Sequence, residues 1–269
     1  MRFFEKTRRT MLRAAVPLAA FALTVVGGLA FARSAAAQDR SELLQSRRRT
    51  YESSQNFAFE LRFAPYTPQI DDDPKLGGAR PYEKSFGTAP RLELAAEFDW
   101  QMVNIPWVGS LGPGISIGTT SMTRPATKLD GTPSASEQSL DIYPMYLVAV
   151  LRADVFMRKM RIPLVPYAKL GLGYALWRAY TTGGTSEAPN GSGTIAGKGS
   201  TYGAHAALGL AFQMNSLDPG AGRAFDESLG VNNTYLYAEW MLSSLSNFGS
   251  ASALRVGTST WVAGLAFEF

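Results

Sequence analysis

Large apolar side chains alternate with small or polar ones along several segments of the chain, with a period of two residues. Successive side chains of a β-strand point to opposite faces, so this period predicts strands with one apolar and one polar face. The first two runs begin at Asn56 and Arg91, and both carry charged residues on one parity. The pattern predicts an all-β fold of eight strands, because six more segments fit it: Leu111 to Met122, Leu140 to Val155, Leu164 to Trp177, Thr201 to Gln213, Thr234 to Leu245 and Leu254 to Phe269.

The connections between these segments alternate in length. Long connections rich in Gly, Pro, Asp, Ser and Thr follow the odd-numbered strands, whereas two of the connections after even-numbered strands are short. This alternation is typical of an antiparallel up-and-down barrel, which has long loops at one end and short turns at the other. The exception runs from Met214 to Asn233. There Asp218 as N-cap, Pro219 at the first helical position and Gly230 past the end predict a helix over residues 219–229.

The alternation of charge and apolarity fits two kinds of β protein. In a soluble β-sandwich the apolar face packs in the core and the charged face meets water. In a transmembrane barrel the apolar face meets lipid and the charged face lines the lumen. Periodicity alone leaves both possibilities open, and the N-terminal segment favours the barrel.

Residues 1–37 have the three parts of an export signal. A basic start is followed by an apolar stretch over residues 14–32 and by the small-residue site Ala35-Ala36-Ala37. We expect cleavage after Ala37; the alternative is an uncleaved membrane anchor. Residues 38–55 are polar and predict a periplasmic leader, so the predicted barrel covers residues 56–269.

Charge and cysteine content narrow the possible functions. The chain has 26 basic and 22 acidic residues, and residues 1–37 hold six of the basic ones and one acidic one, which leaves 20 and 21, a net charge of −1. This balance gives no support for nucleic-acid binding. Without cysteine the chain has neither a disulfide framework nor a thiolate metal site.

Few residues suggest catalysis or metal binding. The single histidine, His205, has alanines as sequence neighbours, so we expect a lumen side chain and not a catalytic base. The run Asp71-Asp72-Asp73 lacks the glycine and glutamate of a calcium loop, so we expect it to be a solvated loop segment. We therefore expect no enzyme, cofactor or metal.

Strand parity predicts which polar side chains line the lumen. An eight-stranded barrel is just wide enough for side chains to fill, so we expect a salt-bridged interior that solutes do not cross freely. The acidic residues in the set outnumber the basic ones, so water, additional basic partners or protonated carboxylates must compensate. The predicted lumen network comprises Glu60, Arg62, Arg91, Glu93, Glu97, Asp99, Asp141, Lys169, His205 and Glu239, with Glu268 on the same parity of the last strand.

The last predicted strand carries Trp261, Leu265, Phe267 and Phe269 on one face. Together with the export signal and the strand number, this ending resembles that of small bacterial outer-membrane β-barrels of the OmpA/OmpX size class. The resemblance covers the barrel alone, without a peptidoglycan-binding domain, and rests on pattern more than on a sharp motif. It implies an eight-stranded antiparallel up-and-down transmembrane β-barrel, located in outer-membrane lipid, whose last strand is the assembly signal for the barrel-insertion machinery.

Three classes of function remain open for such a barrel, and the least supported is an enzyme, which is retained only because a fold does not by itself determine function. It can be a structural or interaction component of the envelope, as some barrels of this size are in machines for gliding motility or adhesion; the alternative is a narrow channel for small or apolar molecules. Phe225 and Leu229 lie four residues apart on one face of the predicted helix and are candidate contacts for a periplasmic or envelope protein. A competing interpretation is that they pack under the barrel mouth. The sequence does not identify a partner or a cargo.

Overall fold

The computed structural model describes residues 56–127, 132–190, 193–250 and 252–269. The predicted export signal and leader, residues 1–37 and 38–55, lie outside the described residues. Eight long strands form the sheet: β1 (Phe57–Tyr66), β2 (Arg91–Trp100), β3 (Gly109–Thr127), β4 (Pro133–Arg152), β5 (Leu164–Thr181), β6 (Lys198–Gln213), β7 (Asn233–Leu245) and β8 (Thr258–Glu268).

The eight strands close into a ring. Each pairs antiparallel with its neighbours in sequence, and β8 pairs antiparallel with β1. At this seam Leu61 lies opposite Leu265, and the Phe269 N–H donates to the Phe57 carbonyl at 2.9 Å. Closure leaves no unpaired edge in the ring, which a sheet in lipid requires. The predicted eight-stranded up-and-down barrel is confirmed.

The barrel has two structurally different ends. We call the end that holds the start of β1 and the end of β8 the terminus end, and the opposite one the far end. The far end carries helix α1 (Pro81–Phe86) and a small hairpin of Glu187–Asn190 with Gly193–Ala196. The terminus end carries the short strand Val103–Ile105 and helices α2 (Val155–Met160) and α3 (Pro219–Leu229).

Five predicted strands have different limits in the structure. The third, fifth and sixth are longer than predicted, because their backbone ladders continue into the polar loops at the far end. The fourth was predicted from Leu140 but begins at Pro133, because β3 and β4 continue their backbone ladder through polar residues beyond the apolar stretch. It ends at Arg152, since Val155 already opens α2. The last strand begins at Thr258 instead of Leu254. Residues 254–257 fold over the far mouth, where the Val256 carbonyl accepts a hydrogen bond from the Tyr66 hydroxyl.

Side-chain exposure in the barrel is the reverse of that in a soluble sheet. Leu170 and Leu208 are each 70% exposed on the outer face, whereas Glu239 on the inner face is 0% exposed. A soluble sandwich would bury the leucines and solvate the carboxylate, so the sandwich interpretation is excluded. Further apolar side chains of the outer face, which we call the lipid belt, include Leu61, Phe63, Leu94, Phe98, Ile115, Ile117, Leu147, Leu172 and Leu242.

Glycines on the inner face make room for inward-pointing tyrosines. A Cβ on Gly209 would lie 2.2 Å from the ring of Tyr167, and one on Gly264 would lie 2.6 Å from the Tyr237 hydroxyl. Larger residues at these positions would collide with the tyrosines. The interior is therefore packed by side chains that differ in size from strand to strand.

Candidate functional site

Charged side chains from five strands meet in the middle of the lumen. β1 contributes Glu60 and Arg62, and four other strands, β2, β4, β5 and β7, contribute the remaining members. All are less than 9% exposed, because alternate residues of each strand point into the closed ring. We call this set the central charge cluster: Glu60, Arg62, Glu97, Asp99, Arg152, Lys169 and Glu239.

Three cations hold the carboxylates of the cluster. The Lys169 Nζ lies 2.7 Å from Glu60 and 2.5 Å from Glu97, and 3.4 Å from Glu239. Arg62 donates to Glu239 and lies 2.9 Å from Glu97. Because charges buried in a poorly solvating interior are stable only when paired, these contacts fix the cluster as one connected unit.

Arg152 completes the cluster and was missed by sequence reasoning. Its Nη2 lies 2.6 Å from Glu60 and 2.8 Å from Asp99. β4 is apolar on both faces between residues 142 and 151, so the sequence there does not show which alternate residues face the lumen. The predicted excess of lumen acids is partly offset by this additional arginine.

Asp141 does not line the lumen, contrary to the prediction. The even-numbered residues of β4, such as Ile142 and Tyr146, are the buried ones. Asp141 has the opposite parity and accepts a hydrogen bond from the Ser121 hydroxyl at 2.6 Å, in an exposed position. Its assignment failed for the reason that hid Arg152: the apolar residues of β4 do not reveal which parity faces inward.

The structure places the other predicted lumen residues on the inner face. Glu93 is buried next to the cluster, and Arg91 sits at the far rim, where its Nη2 lies 3.4 Å from the Phe86 carbonyl. Glu268 is buried at the terminus end and accepts hydrogen bonds from Tyr235 at 2.8 Å and Asn233 at 3.0 Å. Polar side chains thus line the lumen well beyond its middle.

His205 lies in the lumen against an aromatic ring. Its imidazole centroid is 4.0 Å from that of Tyr146. Ser243 lies directly opposite His205 in the pairing of β6 with β7, a proximity that the sequence does not show. Both side chains are nearly fully buried, and in the described residues neither imidazole nitrogen has a hydrogen-bond partner. The pair therefore lacks the nucleophile–base hydrogen bond and the substrate access of a hydrolase site.

Three acidic residues of the cluster lie close enough together to hold a cation. Carboxylate oxygens of Glu60, Glu97 and Asp99 lie within 4.8 Å of one another. Each of these residues is already paired with at least one of Arg62, Arg152 and Lys169. The carboxylate oxygens that would bind a metal ion are thus already paired with ammonium and guanidinium groups of the chain.

The loop after β1 covers the far mouth. Tyr82 of α1 is 4% exposed and packs with Phe86 and Ile70 against the apolar upper part of the lumen. Burial raises the pKa of the Tyr82 phenol above its ordinary value. Asp71, predicted to be solvated, instead accepts hydrogen bonds from the N–H groups of Tyr82 at 2.8 Å and Glu83 at 2.9 Å. It caps α1, which positions the helix over the mouth.

Helix α3 at the terminus end has the predicted limits, which are confirmed. The Asp218 carboxylate accepts hydrogen bonds from the N–H groups of Gly220 and Ala221, both at 2.9 Å. The helix contacts the short turn Met214–Ser216 and the start of β7. Phe225 is 41% exposed and Leu229 is 51% exposed. The two side chains are therefore available on the surface, and the interpretation that they pack under the mouth is wrong.

The residues of the predicted assembly signal lie on the outer face of β8. Trp261 is exposed, and Leu265, Phe267 and Phe269 are partly exposed. Their partners across the sheet are residues of β7 and β1, so this strand closes the ring with its apolar face toward lipid.

A closed antiparallel ring, an apolar outer face and a charged interior define a transmembrane β-barrel of the outer-membrane type. Among the described residues, no helix is long and apolar enough to cross a membrane.

Comparison with known proteins gives structural similarity only. No protein-family model matches the chain, and no curated protein matches it. Solved structures with a similar fold include Ail, the attachment invasion locus protein of Yersinia pestis (13% identity, TM-score 0.40, 80% of this chain and 97% of that one). Others are the outer membrane protein OprG of Pseudomonas aeruginosa (14%, 0.41, 80% and 96%) and the N-terminal β-barrel domain of OprF from the same organism (11%, 0.38, 80% and 98%). Similarity at this level gives no information on function.

Proposed function

We propose that this chain is an integral outer-membrane barrel that acts as a structural or interaction component of the cell envelope. The observation that carries the proposal is the filled lumen. The central charge cluster occupies its middle, hydrogen-bonded polar residues occupy its terminus end, and the α1 loop covers its far end. The surfaces available to bind other molecules are then those at the two ends of the barrel and its outer face.

Helix α3 is the proposed contact with a protein partner. A periplasmic turn of an outer-membrane barrel needs only a few residues, whereas this connection contains a capped helix of 11 residues. Phe225 and Leu229 are exposed on one face, Asp226 lies beside them, and Arg223 and Glu227 lie on the opposite, polar face of the helix. Phe225 and Leu229 are already about half buried, so burying the remaining surface of each on a partner would stabilise the complex by about 1 kcal/mol per side chain.

A partner of this kind belongs to the periplasmic part of the envelope. The terminus end faces the periplasm in the proposed orientation, because the leader at residues 38–55 precedes β1 on that side. The barrel would then be the outer-membrane part of an envelope-spanning assembly, such as a motility or adhesion machine. The same filled lumen disfavours a narrow channel, since charged side chains would have to separate before a solute could pass.

Crosslinking of intact envelopes tests the role of α3. A variant with Phe225→Ser and Leu229→Ser should lose its crosslinked protein partners while still forming a barrel whose unheated form migrates anomalously on a gel. Arg223→Ser on the polar face is the matched control and should keep them. A second variant replaces residues 217–230 with a short glycine-containing turn. If this variant and the double variant both recover the same partners, the proposal is ruled out.

A further inference from the structure

Two neighbouring turns at the terminus end form a surface that is both apolar and basic. The Val155 N–H lies 3.4 Å from the Val108 carbonyl, which joins the turn after β2 to the turn after β4. The Lys159 Nζ lies 2.8 Å from the centroid of the Trp107 ring. We call this surface the basic turn patch: Trp107, Val108, Lys159, Met160, Arg161 and Ile162.

The apolar part of the patch is exposed and adjoins the lipid belt. Trp107 is 76% exposed and Met160 is 61% exposed. Both turns begin directly after strands whose outer residues face lipid, and exposed Val103 and Ile162 continue the apolar surface past the strand ends. The patch therefore lies at the depth where acyl chains give way to headgroups, a depth at which tryptophan is enriched.

The charge of the patch is positive. Residues 153–163 contain three basic residues and one acidic residue, Asp154, while residues 101–108 contain no charged residue. Lys159 and Arg161 are exposed, whereas Asp154 is half-buried at the start of α2. The acidic residues of the neighbouring connection lie on α3 or, as Asp218 does, cap it. Basic and acidic surfaces at this end are thus on different turns.

Local hydrogen bonds fix the patch in one conformation. Trp107 and Arg161 have φ values of 69° and 55°, which non-glycine residues seldom adopt. The Val108 N–H lies 3.1 Å from the Ile105 carbonyl, and the Ile162 N–H lies 3.2 Å from the Phe156 carbonyl. These bonds follow directly on the two unusual residues, so the backbone that carries the Trp107 ring and the Arg161 side chain has a defined conformation, and the Lys159 ammonium packs on the Trp107 ring.

We propose that the basic turn patch binds an anionic phospholipid of the leaflet at the terminus end. The ammonium of Lys159 and the guanidinium of Arg161 contact the headgroup phosphate, and Trp107 and Met160 lie among the upper parts of the acyl chains. A lipid fits better than a protein because the patch is continuous with the lipid belt and complementary in charge to the headgroup. This inference goes beyond the proposed function, since it concerns another surface and does not depend on a partner of α3.

Native mass spectrometry of the full mature chain tests the proposal, with phosphatidylglycerol as the probe and phosphatidylcholine as the zwitterionic control. The folded protein in detergent should bind the first phosphatidylglycerol more tightly than phosphatidylcholine. A single Lys159→Gln or Arg161→Gln change should weaken phosphatidylglycerol binding about fivefold, because a basic residue near an anionic surface contributes about 1 kcal/mol. Lys198→Gln, which removes an exposed lysine at the far end, should leave binding unchanged.

Two further variants separate a lipid site from a structural role. Lys159→Arg combined with Arg161→Lys keeps both charges and should keep phosphatidylglycerol binding. Trp107→Ala should weaken the binding of both lipids without changing the preference between them. Unchanged affinity in the glutamine variants, an equal loss in Lys198→Gln, or no preference for phosphatidylglycerol in the unaltered protein would overturn the proposal.

Discussion

Lys169 contacts three carboxylates in the lumen, as many as Arg62 does. Its ammonium lies among Glu60, Glu97 and Glu239, all of them buried. Removing one partner of a buried ion pair leaves the other charge without solvent or partner, at a cost of about 3 to 5 kcal/mol. At the residue scale, the stability of the barrel therefore depends on charge balance as well as on apolar packing.

Lys169→Met should lower the free energy of unfolding by about 3 to 5 kcal/mol, because it leaves three carboxylates facing one another with Arg62 and Arg152 as the remaining cations. Urea unfolding in lipid vesicles, followed by tryptophan fluorescence, measures this change. Lys198→Met is the matched control and should stay within about 0.5 kcal/mol of the unaltered protein. Equal losses in the two variants would contradict the role of the cluster.

Leu170 follows Lys169 in sequence and has the opposite environment, since it points out of the barrel and is 70% exposed. It lies opposite Ala149 and Ala206 in the middle of the lipid belt. Leu170→Arg should lower the free energy of unfolding by about 2 to 4 kcal/mol, the cost of an arginine on the lipid face near the bilayer midplane. The same urea measurement applies. Leu170→Met should have little effect. An unchanged free energy of unfolding in the Leu170→Arg variant would show that this face does not contact lipid.

At the element scale, α1 depends on a single side chain from a preceding turn. The two hydrogen bonds that Asp71 accepts satisfy N–H groups of the first helical turn, which have no partner within the helix. Loss of such a cap costs about 0.5 to 2 kcal/mol. The cap thus connects two parts of the far-end loop that are 11 residues apart.

Asp71→Ala should speed amide hydrogen exchange at Tyr82 and Glu83 by about fivefold, the equivalent of about 1 kcal/mol in local opening. The amides of β1 should exchange as before, since the ring itself is unchanged. Asp72→Ala, at an exposed neighbouring position, serves as the control. Equal protection of the two amides in both variants would contradict the capping role.

The last strand has two tasks in our proposal, to close the ring and to be read by the insertion machinery. Phe269→Ala keeps the backbone hydrogen bonds to Asn56 and Phe57 but removes the aromatic side chain. We expect less assembled, heat-modifiable barrel in the outer membrane, with export intact. Phe269→Tyr should restore assembly, and unchanged barrel levels in the alanine variant would show that the aromatic side chain is dispensable.

At the scale of the whole molecule, the filled lumen predicts a non-conducting barrel. Planar bilayer recordings of the purified chain should show no discrete conductance steps, because the central charge cluster and the inward-pointing tyrosines occupy the middle of the lumen. Steady single-channel steps would favour the channel interpretation. A variant that carries Lys169→Met and Glu60→Gln tests whether the cluster is the barrier.

The sequence predicts most of this architecture, because strand periodicity, loop alternation and helix caps are local signals. The limits of α3 follow from Asp218, Pro219 and Gly230 alone. The parity of β4 that faces the lumen does not follow from the sequence, because the middle of this strand is apolar on both faces. Asp141 was therefore wrongly placed in the lumen, and Arg152 was missed. The contact of Lys159 with Trp107 and the position of Ser243 opposite His205 also depend on the pairing of distant segments, which no single segment specifies.

The seam between β8 and β1 is paired in the same way as every other junction of the ring. Because Asn56 and Phe57 are hydrogen-bonded to Phe269, a short linker could join the two ends of the barrel, and new ends could be opened at the far-end hairpin Glu187–Asn190. The circularly permuted chain would keep every strand pairing of the ring yet finish on a different strand. Closure of the sheet and the proposed recognition of the final strand, which involve the same strand in the natural order, would then be separated within one molecule.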